Sequence, residues 1–537
     1  MAEVEPLPYV TFPEMLRDVA ARHPDQEALV DGALRLRFPE MLAEAERLAR
    51  GLQSLGVVRG DRVAVWASND WRWVVTAWAI WELGAVITPL STRWKPAEVA
   101  PLLAKTEAKV LVAASEAAGA PLLPGLAAFC GRGRARPFES LEALEGVVEL
   151  AADSTLAPTE LVGGLSFEAL RQRGDTASSY DPSAVTPDAL CQVLFTSGTT
   201  GIPKGVQLHQ RQLLQAYWDW SWFAALRPGD RFMVIPPYSH GFGINGGILS
   251  CAMRGTTNLP VPVFDPAAAL ELIERERISI MSGPPALFAT LIDQVRFDQT
   301  DTSSLHTALI GAAAVPTEII LRMQERIGIS HVCNGYGLIE GSVVSMTRPD
   351  DSVDVVTTTT GRAMPGVEVR IVDDEGEEVP RGERGEVWLR SQGIMSGYFR
   401  DPDQTAEAMT EEGFLKTGDI GVMDPAGHIA VVDRKKDMYI SGGFNAYPAE
   451  IENRLLERED IAAVAVVGVP DERLGEVGHA FVVAARTERL DPQAIRDWAR
   501  EHLANYKVPR RVHVVESLPL NPNGKVRKDV LRERALL

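Results

Sequence analysis

The chain is predicted to be an α/β protein: a large N-terminal domain of mixed sheets flanked by helices plus an antiparallel module, with a small α+β C-terminal domain. Three observations predict this. Residues 61–90 run apolar strand, amphipathic helix, apolar strand, and such a βαβ unit implies parallel sheet with helices on its faces. From Gly361 the texture changes to short alternating strands joined by an acidic, glycine-rich turn, the mark of an antiparallel module. After Asp433 a compact tail of helices and strands follows. At 537 residues the chain is also too long for a single core.

The elements follow in order. Residues 61–66 read as a strand, and Asn69 is the expected N-cap of a helix over 70–83 that Gly84 stops. Residues 85–90 form the next, largely buried strand. The alternation recurs over 231–284, where Asp265-Pro266 opens a helix with a cap and then a proline in the first turn. Residues 368–372 and 386–390 are the alternating strands of the antiparallel module. In the tail, 448–456 is a helix, 461–469 and 480–484 are strands, and Asp491-Pro492 caps a helix to Leu503. The boundary is set at the charged run Asp433–Asp437, giving domains 1–433 and 438–537 with 434–437 between them.

Composition narrows the function classes. With 45% hydrophobic and 24% charged residues the chain has an ordinary globular make-up. A formal net charge of −19 argues against nucleic acid as a partner, since phosphate backbones require basic surface. It leaves ATP open, because a few local cations and Mg²⁺ can meet that charge. The four cysteines are widely spaced with no CxxC pair, so they read as reduced, mostly buried thiols. Residues 1–13 lack the basic and apolar regions of a signal peptide. The apolar stretch 73–90 is broken by Glu82, Gly84 and Pro89, so no transmembrane segment is expected. A cytoplasmic location is the resulting expectation, and a homodimer is compatible with the sequence.

The segment Thr196-Ser197-Gly198-Thr199-Thr200-Gly201-Ile202-Pro203-Lys204-Gly205 lies between two apolar runs. Glycines let backbone approach phosphate oxygens, hydroxyls and N–H groups donate to them, and one ammonium supplies charge. A plain hairpin turn is the bland alternative, but the mix extends well beyond the residues a turn needs. It is not a Walker loop: Pro203 stands where that pattern needs glycine, and Lys204 is followed by Gly205. The order instead resembles the loop of the adenylate-forming superfamily of acyl-CoA synthetases, luciferases and peptide-synthetase adenylation domains.

Further motifs carry the same resemblance, in order, roughly from Phe12 to Lys525. Gly311-Ala312-Ala313 resembles the small-residue strip that packs under adenine. Asn334-Gly335-Tyr336-Gly337-Leu338-Ile339-Glu340 resembles the element whose tyrosine stacks on adenine and whose glutamate binds Mg²⁺; the resemblance makes Thr196 a second metal ligand. Ile339 replaces the family's threonine and so removes a hydroxyl aimed at phosphate. Lys416-Thr417-Gly418-Asp419 implies that Asp419 takes the ribose hydroxyls. In Asp433-Arg434-Lys435-Lys436-Asp437 the resemblance makes Arg434 a ribose and phosphate ligand and Lys436 the hinge of a mobile C-terminal domain. Ser441-Gly442-Gly443-Phe444 would lie along the pantetheine arm of coenzyme A. Lys525, ending a Pro…Gly-Lys turn, would swing into the site during adenylation.

His240, after Pro236-Pro237-Tyr238-Ser239, resembles the histidine that closes the acyl site, with Phe242, Gly243, Asn245 and Gly335 lining that pocket. The glycines at 241, 243, 246 and 247 are expected to leave room for a wide apolar acyl group. The Gly241–Gly246 run also matches GxGxxG, but it does not open a helix directly after a strand, so a nicotinamide enzyme is rejected. The wording of 437–448 resembles bacterial fatty-acid and steroid-catabolic CoA ligases. The resemblance therefore implies an ATP-dependent carboxylate:CoA ligase that makes acyl-AMP and then acyl-CoA. Its substrates are ATP, coenzyme A and a medium-chain, alicyclic or similarly bulky acid, with Mg²⁺ as metal. The alternatives are an aryl-acid CoA ligase, or an adenylating enzyme or acyl-adenylate binder that does not use coenzyme A.

Overall fold

The structure is a computed structural model that describes residues 4–150, 161–196, 203–311, 315–441, 444–471, 473–485, 490–521 and 524–536. It divides into two compact units, residues 1–368 with 390–413 and residues 369–389 with 414–537. The α/β class, the mixed sheets and the antiparallel module are as the sequence predicts.

The first unit holds two large sheets. A seven-stranded sheet runs in the order Lys204–His209, Leu190–Thr196, Val86–Pro89, Arg62–Trp66, Val110–Ala114, Gly146–Leu150, Gly164–Ser166. Only its first pair is antiparallel. In a nine-stranded sheet the strands Thr257–Pro260, Arg231–Val234, Ile280–Ser282, Thr307–Gly311 and His331–Leu338 are neighbours and parallel. Continuous apolar strands such as Val110–Ala114 suit this arrangement, because parallel sheets are covered on both faces.

The helix of the βαβ unit spans Trp71–Glu82, between the strands Arg62–Trp66 and Val86–Pro89. It is apolar nearly all round, and Trp73, Trp78 and Trp81 are fully buried, as a helix in the middle of a large core must be. Glu82 is fully buried and its charge is met by Arg17 at 2.6 Å and the Tyr180 hydroxyl at 2.9 Å. Among the described residues no helix is long and apolar enough to cross a membrane.

One local expectation is corrected. Asp70, not Asn69, caps this helix, its carboxylate accepting from the Trp73 N–H at 2.8 Å. The Asn69 side chain is used elsewhere: it donates to the Val234 and Pro236 carbonyls and accepts from the Tyr238 N–H. It thereby ties the end of a seven-sheet strand to the loop that leads to His240.

The second unit contains an antiparallel sheet of Glu368–Val372, Arg384–Arg390, Leu415–Met423 and Ile429–Arg434, begun by the last residue of the first unit's main segment. A further sheet is formed by Phe444–Ala446, Tyr439–Ser441, Gly475–Ala484 and Ile461–Asp471, with Arg511–Val514 parallel to Gly475–Ala484. Its core includes Tyr439, Ile451, Val466, Val482 and Ile495. Gly468 and Gly478 leave room for the Tyr439 side chain: a Cβ on Gly478 would stand 2.3 Å from its hydroxyl oxygen. Helices Pro448–Leu455 and Pro492–His502 begin at the expected prolines, and Asp491 caps the second.

Candidate functional site

The strands on either side of residues 197–203 are antiparallel, with Thr196 directly opposite Lys204 in the register. Ser197, Gly198, Thr199, Thr200 and Gly201 lie outside the described residues, as do Ala312, Ala313, Gly442 and Gly443. The strand Leu190–Thr196 also pairs in parallel with Val86–Pro89. Thr196 therefore stands at the carboxyl end of a parallel strand, where open α/β sheets hold their ligands.

Gly311 ends its strand in the same way and sits opposite Gly335. A Cβ on Gly311 would stand 2.9 Å from the Gly335 oxygen, and one on Gly337 would stand 2.5 Å from the Ser342 oxygen. Two motifs far apart in sequence thus form one glycine-lined strip beside Tyr336. Asn334 is buried, and its amide group donates to the Val356 and Thr359 carbonyls, both at 3.0 Å. That side chain braces the short helix Val353–Thr358 against the strand.

Glu340 is half-buried, and its Oε1 accepts from the Tyr398 hydroxyl at 3.2 Å. The ring of Tyr398 lies under Lys204, with Nζ 4.8 Å from the centroid, a cation–π separation. Residues 396–399 run alongside the strand Lys204–His209: the Gln207 N–H donates to the Gly397 carbonyl at 3.0 Å and the Phe399 N–H to the Gly205 carbonyl at 2.6 Å. Burial, together with the Glu340 carboxylate, pushes the Tyr398 phenol up, so it remains a hydrogen-bond donor. The sequence reading passes over Tyr398. No local pattern marks it, because its partners Glu340 and Lys204 are both remote in sequence.

His240 is exposed, and its Nδ1 accepts from the Phe242 N–H at 3.2 Å. It immediately precedes the helical turn at Gly241 and the π-helix Phe242–Leu249, a rare wide-turned form often found at functional sites. Asn245, fully buried in that helix, accepts from Gln192 at 2.7 Å and so ties it to the loop-bearing strand. Phe242 meets Trp220 edge to face at 5.5 Å.

The glycines here do not simply leave open space. A Cβ on Gly243 would stand 2.1 Å from the Pro237 oxygen, on Gly246 3.1 Å from the Phe242 ring, and on Gly247 2.7 Å from Val234. They permit close packing of the π-helix. Gly241 differs: a Cβ there would meet Ile339 at 3.5 Å and Leu194 at 3.6 Å, ordinary contacts. Ile339 therefore points its side chain to the corner beside His240.

In the second unit Asp419 and Arg434 are partners. They face each other across two strands, and Nε of Arg434 lies 2.6 Å from Oδ1 of the almost fully buried Asp419. Thr417 holds the strand by donating to the Val387 carbonyl at 2.7 Å, and Lys435 is paired with Asp374 and Glu386. Lys436 is exposed in a turn where the Asp437 N–H donates to the Arg434 carbonyl at 3.0 Å, and Arg532 donates to Asp437, also at 3.0 Å. Ser441 is buried and sits opposite Phe444 across a two-strand pair. Lys525 is exposed on a tight turn: its N–H donates to the Asn521 side chain at 2.9 Å, and the Asn521 N–H donates back to its carbonyl at 2.7 Å. Gly524 has φ +78°, a conformation only glycine adopts readily.

No group of three or more His, Cys, Asp or Glu side chains is arranged for a metal among the described residues. Glu340, whose Oε1 accepts from Tyr398, presents a carboxylate oxygen of the hard kind that Mg²⁺ takes.

Residues 16–399 match the AMP-binding enzyme family and residues 450–525 its C-terminal domain. The chain belongs to this family, in the acyl-CoA ligase branch of the adenylate-forming superfamily. It is 40% identical over 528 residues to the 3-[(3aS,4S,7aS)-7a-methyl-1,5-dioxo-octahydro-1H-inden-4-yl]propanoyl:CoA ligase of Rhodococcus jostii, covering 97% of this chain and 98% of that one. The ligase of the same name from Mycobacterium tuberculosis is 41% identical over 529 residues, with the same coverage. Among solved structures, ATP-bound MatB from Rhodopseudomonas palustris is similar with a TM-score of 0.84 and 27% identity, over 97% of this chain and 98% of that chain.

Proposed function

We propose that the protein is an ATP-dependent carboxylate:CoA ligase acting on a bulky alicyclic acid with an acidic side chain, working in the cytoplasm. The observation that carries the reading is the 40% identity, along nearly the whole chain, to a ligase for a bicyclic propanoate. The acid's carboxylate attacks the α-phosphorus of ATP, the bond to pyrophosphate breaks, and an acyl-adenylate forms. Lys204 and the loop that precedes it bind the outgoing phosphates, Tyr336 stacks on adenine, and Asp419 with Arg434 holds the ribose. Lys525 offsets the charge that gathers where carboxylate meets α-phosphate. Glu340 and Thr196 are the residues that would hold Mg²⁺, which when bound screens phosphate charge.

In the second half-reaction the coenzyme A thiol attacks the acyl carbon, its proton is lost, and AMP leaves. The C-terminal domain turns at Lys436 between the two steps, so that Lys525 withdraws and the segment around Gly443 guides the thiol. This hinge concerns motion, and so is a separate matter from the division of the chain by packing. His240 and Phe242 close the acyl site, and Ile339 adds an apolar wall at the Gly241 corner in place of a hydroxyl. The test is pyrophosphate release across aliphatic, alicyclic and aromatic acids, each with and without coenzyme A. Release with alicyclic acids that coenzyme A strongly boosts is the expected result. Release indifferent to coenzyme A would overturn the ligase reading, and preference for another acid class would overturn the substrate.

A further inference from the structure

We propose that Tyr398 is a positioning residue for adenylation, setting both the metal-binding carboxylate of Glu340 and the ammonium of Lys204 through one side chain. The inference rests on the reading of Glu340 as a Mg²⁺ ligand. Its hydroxyl donates to Glu340 Oε1 at 3.2 Å while Lys204 Nζ lies over its ring at 4.8 Å. Tyr398 is 8% exposed, so it is a fixed part of the protein interior.

The backbone holds the ring in this place from two sides. Residues 396–399 are laced to the strand Lys204–His209 by bonds from Gln207 to Gly397, Ser396 to Gln207 and Phe399 to Gly205, and Val206 bridges Tyr398. The Met395 N–H donates to the Glu340 carbonyl at 2.8 Å. The same short segment therefore fixes the backbone after the phosphate loop and the backbone of the metal-binding residue. A hydrogen bond from the phenol occupies one carboxylate oxygen and leaves the other turned for a cation, as outer partners of metal ligands do. The ring face meanwhile seats the Lys204 ammonium without neutralising it, since a π-face attracts a cation but carries no net charge.

Two variants separate these tasks. Tyr398→Phe keeps the ring beneath Lys204 and removes the hydroxyl, whereas Tyr398→Leu removes both. Calorimetric titration of the full-length variants with ATP alone and with Mn²⁺·ATP is the binding readout. Pyrophosphate release against Mg²⁺ concentration is the kinetic one. For Tyr398→Phe the half-saturating metal concentration should rise about tenfold while metal-free ATP binds within about twofold of wild type. Tyr398→Leu should lose metal-free ATP affinity as well. Conversion of preformed acyl-adenylate to acyl-CoA should be unchanged by Tyr398→Phe.

An unaltered metal dependence in Tyr398→Phe overturns the proposal, as does an equal fall in both half-reactions. Glu340→Gln separates this failure from that of the underlying reading. If Glu340→Gln also leaves metal dependence unaltered, the assignment of Glu340 falls too. If it shifts the dependence and Tyr398→Phe does not, the tyrosine alone is excluded.

Discussion

Asp419 and Lys525 stand in the same compact unit and are both assigned to the nucleotide, yet the chain treats them in opposite ways. Asp419 is 2% exposed, set in the middle of a strand and paired across the sheet with Arg434 at 2.6 Å. Lys525 is exposed at the tip of a turn closed by Asn521 and Gly524. A buried, prepaired carboxylate loses little freedom when it binds a ligand, which suits a contact kept through both half-reactions. A lysine carried at the surface, on a turn whose backbone is held by Asn521, suits a charge needed in only one. Under the proposed function, burial more than residue type separates a permanent contact from a delivered one.

The largest effect that would test this contrast is expected at Lys525. Lys525→Ala should lower pyrophosphate release by about 10²–10³-fold, the usual loss when one transition-state charge partner is removed. Steady-state assays with saturating acid check it. Asp419→Asn should act more evenly, raising the KM for ATP by about 10-fold, because one hydrogen-bonding oxygen and the Arg434 ion pair are lost together. Its signature is that both half-reactions weaken; sparing of the second would break the comparison.

A third effect concerns the stability of the same unit. Burial, with His513 and Arg511 nearby, holds His479 down to about 4 from an ordinary value near 6.5. The folded state thus binds fewer protons than the unfolded one between these values, so stability is present above about 6.5 and falls as pH is lowered toward 4. His479→Gln should flatten that slope and shift the acid-side melting temperature by about 2–4 °C, read by thermal melts from pH 4 to 7. The smallest effect is expected outside both regions. Ile339→Thr should change pyrophosphate release with the best acid by less than about threefold, a loss within about 1 kcal/mol, while altering the ranking of acids. A large gain in ATP affinity would show that the missing hydroxyl matters more than the contact with Gly241.

Much of the candidate site can be proposed from the sequence because its motifs are local. Glycine strips, a lysine after a loop and an aspartate in Thr-Gly-Asp are each visible within ten residues. What stayed hidden depends on long-range partners. Tyr398 is recognisable only through Glu340, 58 positions earlier, and through Lys204. Asn69 and Asp70 can both cap a helix, and the Val234 and Pro236 carbonyls decide the matter by claiming Asn69. The glycines from 243 to 247 show where side chains are absent, but Pro237, Phe242 and Val234 fill those places, which no local pattern reveals.

The most direct test of the account supplies Lys525→Ala and Asp419→Asn with preformed acyl-adenylate and coenzyme A, and times the first turnover of acyl-CoA. The account predicts a near-normal rate for Lys525→Ala and a clear loss for Asp419→Asn. Equal losses in the two variants would contradict it.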